Sequence, residues 1–277
     1  MTQDREIEEI LRIARRAAEV VLEVYATPFE VEMKSPGDPV TQADRRANAL
    51  ICAELTAAFP GEAILAEESV PEDRAEIAAL AGSERVFFVD PLDGTREFAA
   101  RNGEFAVMIG LAERGHATLG VVVLPTTGEA LAGRAAAEGG AFVEAAGGAR
   151  RPIRVSAISS PAEATAVLSR SHRPRTIQPM LDRLGVTRIV PCGSVGVKVA
   201  RVVTGAADLY VHAGVGAKLW DACAPEAILR AAGGRFTDLA GAAIGYACAD
   251  LGLPNGIIAS NAALHEAIVE AANTGLV

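Results

Sequence analysis

Asp90-Pro91-Leu92-Asp93-Gly94-Thr95 sets two carboxylates three residues apart, with a hydroxyl just beyond them. Oxygen ligands at this spacing on a tight turn can converge on a hard cation such as Mg²⁺. The same residues also read as an ordinary Asp-Gly turn. Their position matters: the preceding run Val86-Phe87-Phe88-Val89 reads as a buried strand, so the acids stand at its C-terminal end. Open α/β sheets keep their ligand sites there.

Three other acidic segments are similarly placed. Lys34-Ser35-Pro36-Gly37-Asp38-Pro39-Val40-Thr41-Gln42-Ala43-Asp44 ends at the start of an apolar helix, where Thr41 and Asp44 also read as a capping box. Glu67-Glu68 follows the short apolar run Ala63–Ala66 and also reads as a solvated loop. Asp221, after Trp220, opens a helix, where an N-cap explains it equally well. All four acidic groups therefore fall where a strand ends or a helix begins. Carboxylates brought together repel one another unless cations neutralise them, so their convergence implies metal. The matching chemistry is polarisation of a phosphoryl group and activation of water by about two or three Mg²⁺ ions.

The elements that must position these groups follow from hydrophobic periodicity. Residues 4–26 predict an amphipathic helix, and a second runs from about Thr41 to Phe59, stopping before Pro60-Gly61. Strand-like runs at 63–66, 86–89, 105–112, 117–124 and 129–134 are separated by Gly and Pro turns, as in a sheet with antiparallel pairs. Beyond Gly147-Gly148 the pattern alternates: strands at 166–168, 188–190, 208–211, 235–237 and 256–259, helices at 176–184, 195–204, 221–232 and from 262. That is an α/β second half. The expected domains are 1–148, carrying most of the acids, and 149–277, completing the site.

A chain of 277 residues, half of them hydrophobic, can bury a large core. No segment approaches the roughly 20 apolar residues of a membrane span, and the polar start Met1–Glu6 is unlike a signal peptide. Cys52, Cys192, Cys223 and Cys248 lack zinc-site spacing and read as reduced thiols. The expectation is a cytoplasmic protein that does not engage membranes. A formal charge of −9 argues against a nucleic-acid polymer as partner.

Read in order, D-x-V-T-x-x-D, E-E, D-P-L-D-G-T and W-D across residues 38–221 resemble the magnesium-dependent, lithium-sensitive phosphatase superfamily. That superfamily includes inositol monophosphatases, fructose 1,6-bisphosphatases and 3′(2′),5′-bisphosphate nucleotidases. The resemblance implies a layered αβαβα sandwich. It implies metal ligation by Glu67, Asp90, the Leu92 carbonyl, Asp93 and Asp221, and a catalytic set of Glu67 with Thr95 hydrogen-bonded to Asp44, the pair orienting or deprotonating the attacking water. Phosphate oxygens would be held by the backbone of Gly94 and Thr95. The implied reaction is in-line attack on phosphorus without a phosphoenzyme.

The substrate follows from finer matches. Inositol phosphatases resemble one another in a Glu seven residues before the W-D aspartate; here that residue is Gly214. The segment Lys218-Leu219-Trp220-Asp221-Ala222-Cys223-Ala224-Pro225-Glu226 is similar to the bisphosphate nucleotidase (CysQ-type) branch, and so is Ser169-Arg170-Ser171-His172. Arg170, His172 and Lys218 could bind a second phosphate that is not cleaved; Arg170–Arg175 also reads as a basic surface turn. Ser194, in Gly193-Ser194-Val195-Gly196, could present donors to an anion at a helix start, or simply begin the helix. The resemblance thus favours removal of the 3′-phosphate from adenosine 3′,5′-bisphosphate, a reaction linked to sulfur metabolism. An inositol or sugar phosphatase is the alternative, and a non-catalytic relative stands further off. Substrate contacts are expected from Gly94, Thr95, Arg170, His172, Ser194, Lys218 and Asp221, and a monomer is favoured over a homodimer. A haloacid-dehalogenase reading fails because Pro91 occupies the nucleophile position two residues before Asp93, and an EF-hand fails on ligand spacing.

Overall fold

The computed structural model describes residues 3–35, 37–136, 139–170, 177–214 and 216–274. The chain begins with α1 (Gln3–Tyr25), whose apolar face includes Ile10, Ile13, Ala14, Ala17 and Val21, all without exposed surface. A hairpin of β1 (Glu32–Ser35) and β2 (Asp38–Val40) leads to α2 (Gln42–Ala58). Thr41 caps α2: its hydroxyl accepts from the Ala43 N–H, while Asp44 accepts from the Thr41 N–H. The cap satisfies donors that a helix start leaves open. The expected helices at 4–26 and 41–59 thus stand within a residue or two of their predicted ends.

β3 (Ala63–Ala66), a 3₁₀ turn over Glu67–Ser69 and α3 (Arg74–Ala81) precede β4 (Arg85–Asp93). After the short α4 (Thr95–Ala99) come β5 (Ala106–Glu113), β6 (His116–Leu124), β7 (Glu129–Arg134), β8 (Ala141–Glu144) and β9 (Arg150–Ile153). β3 to β9 form one seven-stranded sheet in sequence order, parallel only between β3 and β4. Gly147-Gly148, the expected boundary, lies in the turn between β8 and β9, and this sheet continues through it to Ile153.

The second half comprises β10 (Thr165–Ser169), α5 (Ile177–Leu184), β11 (Arg188–Cys192), α6 (Val195–Val203), β12 (Leu209–His212), α7 (Leu219–Ala231), β13 (Gly234–Thr237), β14 (Ile257–Asn261) and α8 (His265–Asn273). Its five-stranded sheet has the order β11-β10-β12-β14-β13, with β10 parallel to both β11 and β12. Because β11 and β12 lie on opposite sides of β10, a crevice opens beyond the C-terminal ends of these strands.

Alternating side chains divide the core. Phe87 and Val89 of β4 face α1 and α2, whereas Val86 and Phe88 face the layer of α6 and α7. That middle layer also covers Val167, Tyr210 and Ala259 of the second sheet, whose other face meets α5 and α8 through Leu168, Leu209 and Ile258. The result is the αβαβα sandwich, with α6 and α7 clamped between two sheets and able to carry side chains to the edge where both end.

Candidate metal centre and substrate cleft

β4 continues through the acidic segment rather than ending before it. Pairing with β5 is regular to Asp90↔Met108 and resumes at Asp93↔Ala106, with a bulge between. A proline cannot supply a ladder N–H, and a bulge re-aims side chains. Asp90 turns back to accept from the Leu92 N–H at 3.0 Å. Gly94 closes the strand at φ 94°, in the left-handed region, and a Cβ there would stand 2.9 Å from the Glu104 carbonyl oxygen. Both its conformation and the space around it require glycine.

Thr95 then opens α4 with its hydroxyl 2.8 Å from Asp44 Oδ1 and 3.1 Å from the Leu92 carbonyl. Asp44 Oδ2 accepts from the N–H and hydroxyl of Thr41 at 2.8 and 2.7 Å. The capping role and the partnership with Thr95 therefore coexist, one on each carboxylate oxygen. Burial raises the Asp44 pKa against the lowering effect of these hydrogen bonds.

α7 brings Asp221 over from the second half. One of its oxygens accepts from the Lys218 N–H at 2.5 Å, which caps the helix. Carboxylate oxygens of Asp90, Asp93 and Asp221 lie within 4.8 Å of one another. Asp93 is anchored by α6: its Oδ2 accepts from the Ser194 hydroxyl and, at 2.6 Å, from the Gly196 N–H. Donors at this helix start, expected for a bound anion, are thus directed to Asp93. Ser194 holds a positive φ of 55° to make the contact, a conformation that costs a non-glycine residue energy.

Glu67 faces the same cleft, but its carboxylate is taken by Lys34 of β1, which reaches Glu67 at 2.8 Å and Glu68 at 2.7 Å. Burial, opposed by Lys34, moves the Glu67 pKa up to about 7. Asp90 and Asp221 are pushed well above the carboxylate range, first by burial, then by repulsion from Glu67 and Asp93. Clustered like charges withdrawn from water are a set that a divalent cation relieves, and all the donors are the hard oxygens Mg²⁺ prefers. Asp90, Asp93 and Asp221 therefore fit such an ion; Glu67, paired with Lys34, is not among the carboxylates brought within that 4.8 Å.

The cleft above has a volume of about 900 Å³ and is lined by Gly94, Thr95, Ser169, Ser194, Lys198, Lys218 and Asp221, among others. Ser169, Ser194 and His212 lie at or just past the ends of β10, β11 and β12, where the strand order predicts a crevice. Arg170 is directed elsewhere: it pairs with Glu104 at 2.8 Å and reaches the Pro191 carbonyl at 3.3 Å. His172 lies outside the described residues.

The sequence reading missed two cations. Lys34 acts through a hairpin too short to show a strand pattern. Lys198 is 4 % exposed and sits 5.1 Å from the centre of the Tyr210 ring on the cleft wall. Burial lowers its pKa, opposed by Asp93, Glu97 and Asp221. Its signal was a lysine on the buried face of Val195–Val203, beside Val199 and Val202.

The inositol monophosphatase family matches residues 3–276. This chain belongs to that family. Members are metal-dependent phosphatases, and this family member carries the same activity class. The chain is 35% identical over 244 residues to 3′(2′),5′-bisphosphate nucleotidase CysQ of Escherichia coli (strain K12), covering 87% of this chain and 93% of that protein. It is 29% identical over 257 residues to 3′(2′),5′-bisphosphate nucleotidase 1 of Homo sapiens, covering 84% and 83%. Among solved structures it resembles CysQ from Bacteroides thetaiotaomicron (TM-score 0.78, 27% identity, 94% and 98% coverage) and the Thermotoga maritima IMPase (0.80, 28%, 99% and 98%).

Proposed function

We propose that this family member removes the 3′-phosphate of adenosine 3′,5′-bisphosphate, releasing AMP and phosphate, with about two or three Mg²⁺ ions. The observation that carries the reading is a cleft whose wall holds both the clustered carboxylates and the lysines Lys198 and Lys218. A substrate with two phosphates can engage both. The 35% identity to the CysQ nucleotidase supports the same choice, as does Gly214 in place of an inositol-contacting acid.

Glu67, Asp90, Asp93, Asp221 and the Leu92 carbonyl would hold the cations. Magnesium, when bound, supplies Lewis-acid polarisation of the phosphoryl group and neutralises the charge of its ligands. Thr95 already donates its proton to Asp44 Oδ1, so its oxygen lone pairs are directed outward to accept one from an incoming water. Asp44, its pKa raised by burial, is a better final acceptor than an exposed aspartate. The backbone N–H groups of Gly94 and Thr95, on the cleft wall, would hold phosphate oxygens. Arg170 would contribute only by leaving Glu104.

The test is phosphate release with Mg²⁺ from adenosine 3′,5′-bisphosphate, inositol 1-phosphate and fructose 1,6-bisphosphate in parallel. A kcat/KM highest for the nucleotide supports the proposal, and Lys198→Met should narrow that preference. Preference for inositol phosphate would keep the metal chemistry and overturn the substrate. A monomer, lithium inhibition and a cytoplasmic location belong to the same proposal. Among the described residues no helix is long and apolar enough to cross a membrane.

A further inference from the structure

Gly120 of β6 stands opposite Gly110 of β5, and both lie beneath α7. Neither has a positive φ, so the backbone there makes no demand for glycine. Glycine in a strand interior packs poorly, and its presence points to a close approach of another backbone. The approach is visible: a Cβ on Gly120 would stand 2.2 Å from the Ala224 carbonyl oxygen, and one on Gly110 would stand 2.5 Å from the Ala224 N. Both contacts fall one helical turn after Asp221. Further along α7 the fit loosens, and a Cβ on Gly133 of β7 would meet Ala231 Cβ at 3.0 Å.

We propose that Gly120 is a positioning residue for the metal centre: it sets the depth at which α7 seats on the seven-stranded sheet, and so the span from Asp221 to Asp90 and Asp93. The two aspartates belong to β4 of that same sheet, next to β5. Any lift of α7 from the sheet therefore widens the gap across which the three carboxylates must share a cation. Their oxygens lie within 4.8 Å of one another, and Mg²⁺ demands ligands at about 2.0–2.1 Å. Relieving the contact made by an alanine at position 120 requires α7 or β6 to yield by about 1 Å, a displacement that can cost about 100-fold in rate.

The inference rests on the reading of Asp90, Asp93 and Asp221 as metal ligands, so the experiment separates the two. Mn²⁺ alone is titrated into the wild-type protein, Asp93→Asn, Gly120→Ala and Gly133→Ala, with binding followed by the electron paramagnetic resonance signal of free Mn²⁺. Circular dichroism and urea unfolding report on the fold, and kcat is measured alongside. The expected result is Mn²⁺ affinity lowered at least about tenfold in Gly120→Ala, with kcat down about 100-fold, while Gly133→Ala binds Mn²⁺ like the wild type whatever stability it loses. Wild-type affinity in folded Gly120→Ala, or an equal loss in Gly133→Ala, overturns the positioning role. Wild-type affinity in Asp93→Asn overturns the metal-site reading instead. If Gly120→Ala does not fold, Cys223→Val adds bulk over Gly110 from the helix side. Weakened Mn²⁺ binding in that folded variant then supports the role, and unchanged binding overturns it.

Discussion

Glu226 should make this protein less stable as pH rises, and Glu226→Gln should remove the effect. The carboxyl lies on α7, 4 % exposed, where it accepts from the Tyr246 hydroxyl at 2.7 Å and meets Arg230 Nη1 at 3.3 Å. Tyr246 is itself buried edge-on against Phe88. Withdrawal from water outweighs both partners and raises the Glu226 pKa from 4.5 to about 7. In the unfolded chain the group ionises near 4.5; in the folded protein it keeps its proton to about 7. Between these values the native state binds more protons than the unfolded state, so stability present below 4.5 is lost as pH rises through 7. At about 1.4 kcal/mol per pH unit, the full loss is between about 3 and 4 kcal/mol. Glutamine keeps the shape without the charge. It gives up one contact, to the part-exposed Arg230, at every pH. Urea unfolding of both proteins at fixed Mg²⁺, from about pH 5 to about pH 8, should show the variant gaining about 2 to 3 kcal/mol on the wild type across the range. Other titrating groups are common to both and cancel. Two parallel stability profiles would refute the claim that Glu226 is buried as a neutral acid.

Two further outcomes test the centre itself. Thr95→Val should lower kcat about 10²- to 10⁴-fold with little change in KM, because the Asp44-linked hydroxyl is lost; Thr95→Ser, which keeps it, should retain most activity in the same steady-state assay. Chelating divalent cations should lower the Tm, since the buried cluster of Asp90, Asp93 and Asp221 then loses the ion that relieves it and a ligand that binds only the folded state. Returning Mg²⁺ to about 100-fold above its Kd should restore about 2.7 kcal/mol, and a thermal scan showing no response to Mg²⁺ would count against a cation at these residues.

Much of this molecule was legible in one dimension. The long helices declared themselves by periodicity, and α2 also by its cap at Thr41 and the stop at Pro60-Gly61. Alternation and turn residues marked β4 to β7 and the αβ alternation of the second half. The family motifs, joined in order from Asp38 to Asp221, pointed to a metal-dependent phosphatase. Such features are local: a cap, a period or a short motif is encoded by neighbours in sequence. Contacts between distant segments were not. The hairpin that brings Lys34 to Glu67 is too short for any period, and β8 and β9 lie on either side of a glycine turn that looks like a linker. Arg170 read as a phosphate-binding cation or part of a basic surface turn, because nothing in its surroundings along the chain foretells Glu104, 66 residues away. Ser194 read either as an anion donor or as a plain helix start, because its contact with Asp93 joins it to the other sheet. Gly120, inside a predicted strand, signalled only that something packs closely there; what it meets is a helix residue 104 positions later, Ala224. Sequence alone determined which acids this protein has and the elements that bear them. Tertiary structure decided which oxygens meet and which charges are already spent, because close packing sets the distances between groups far apart along the chain.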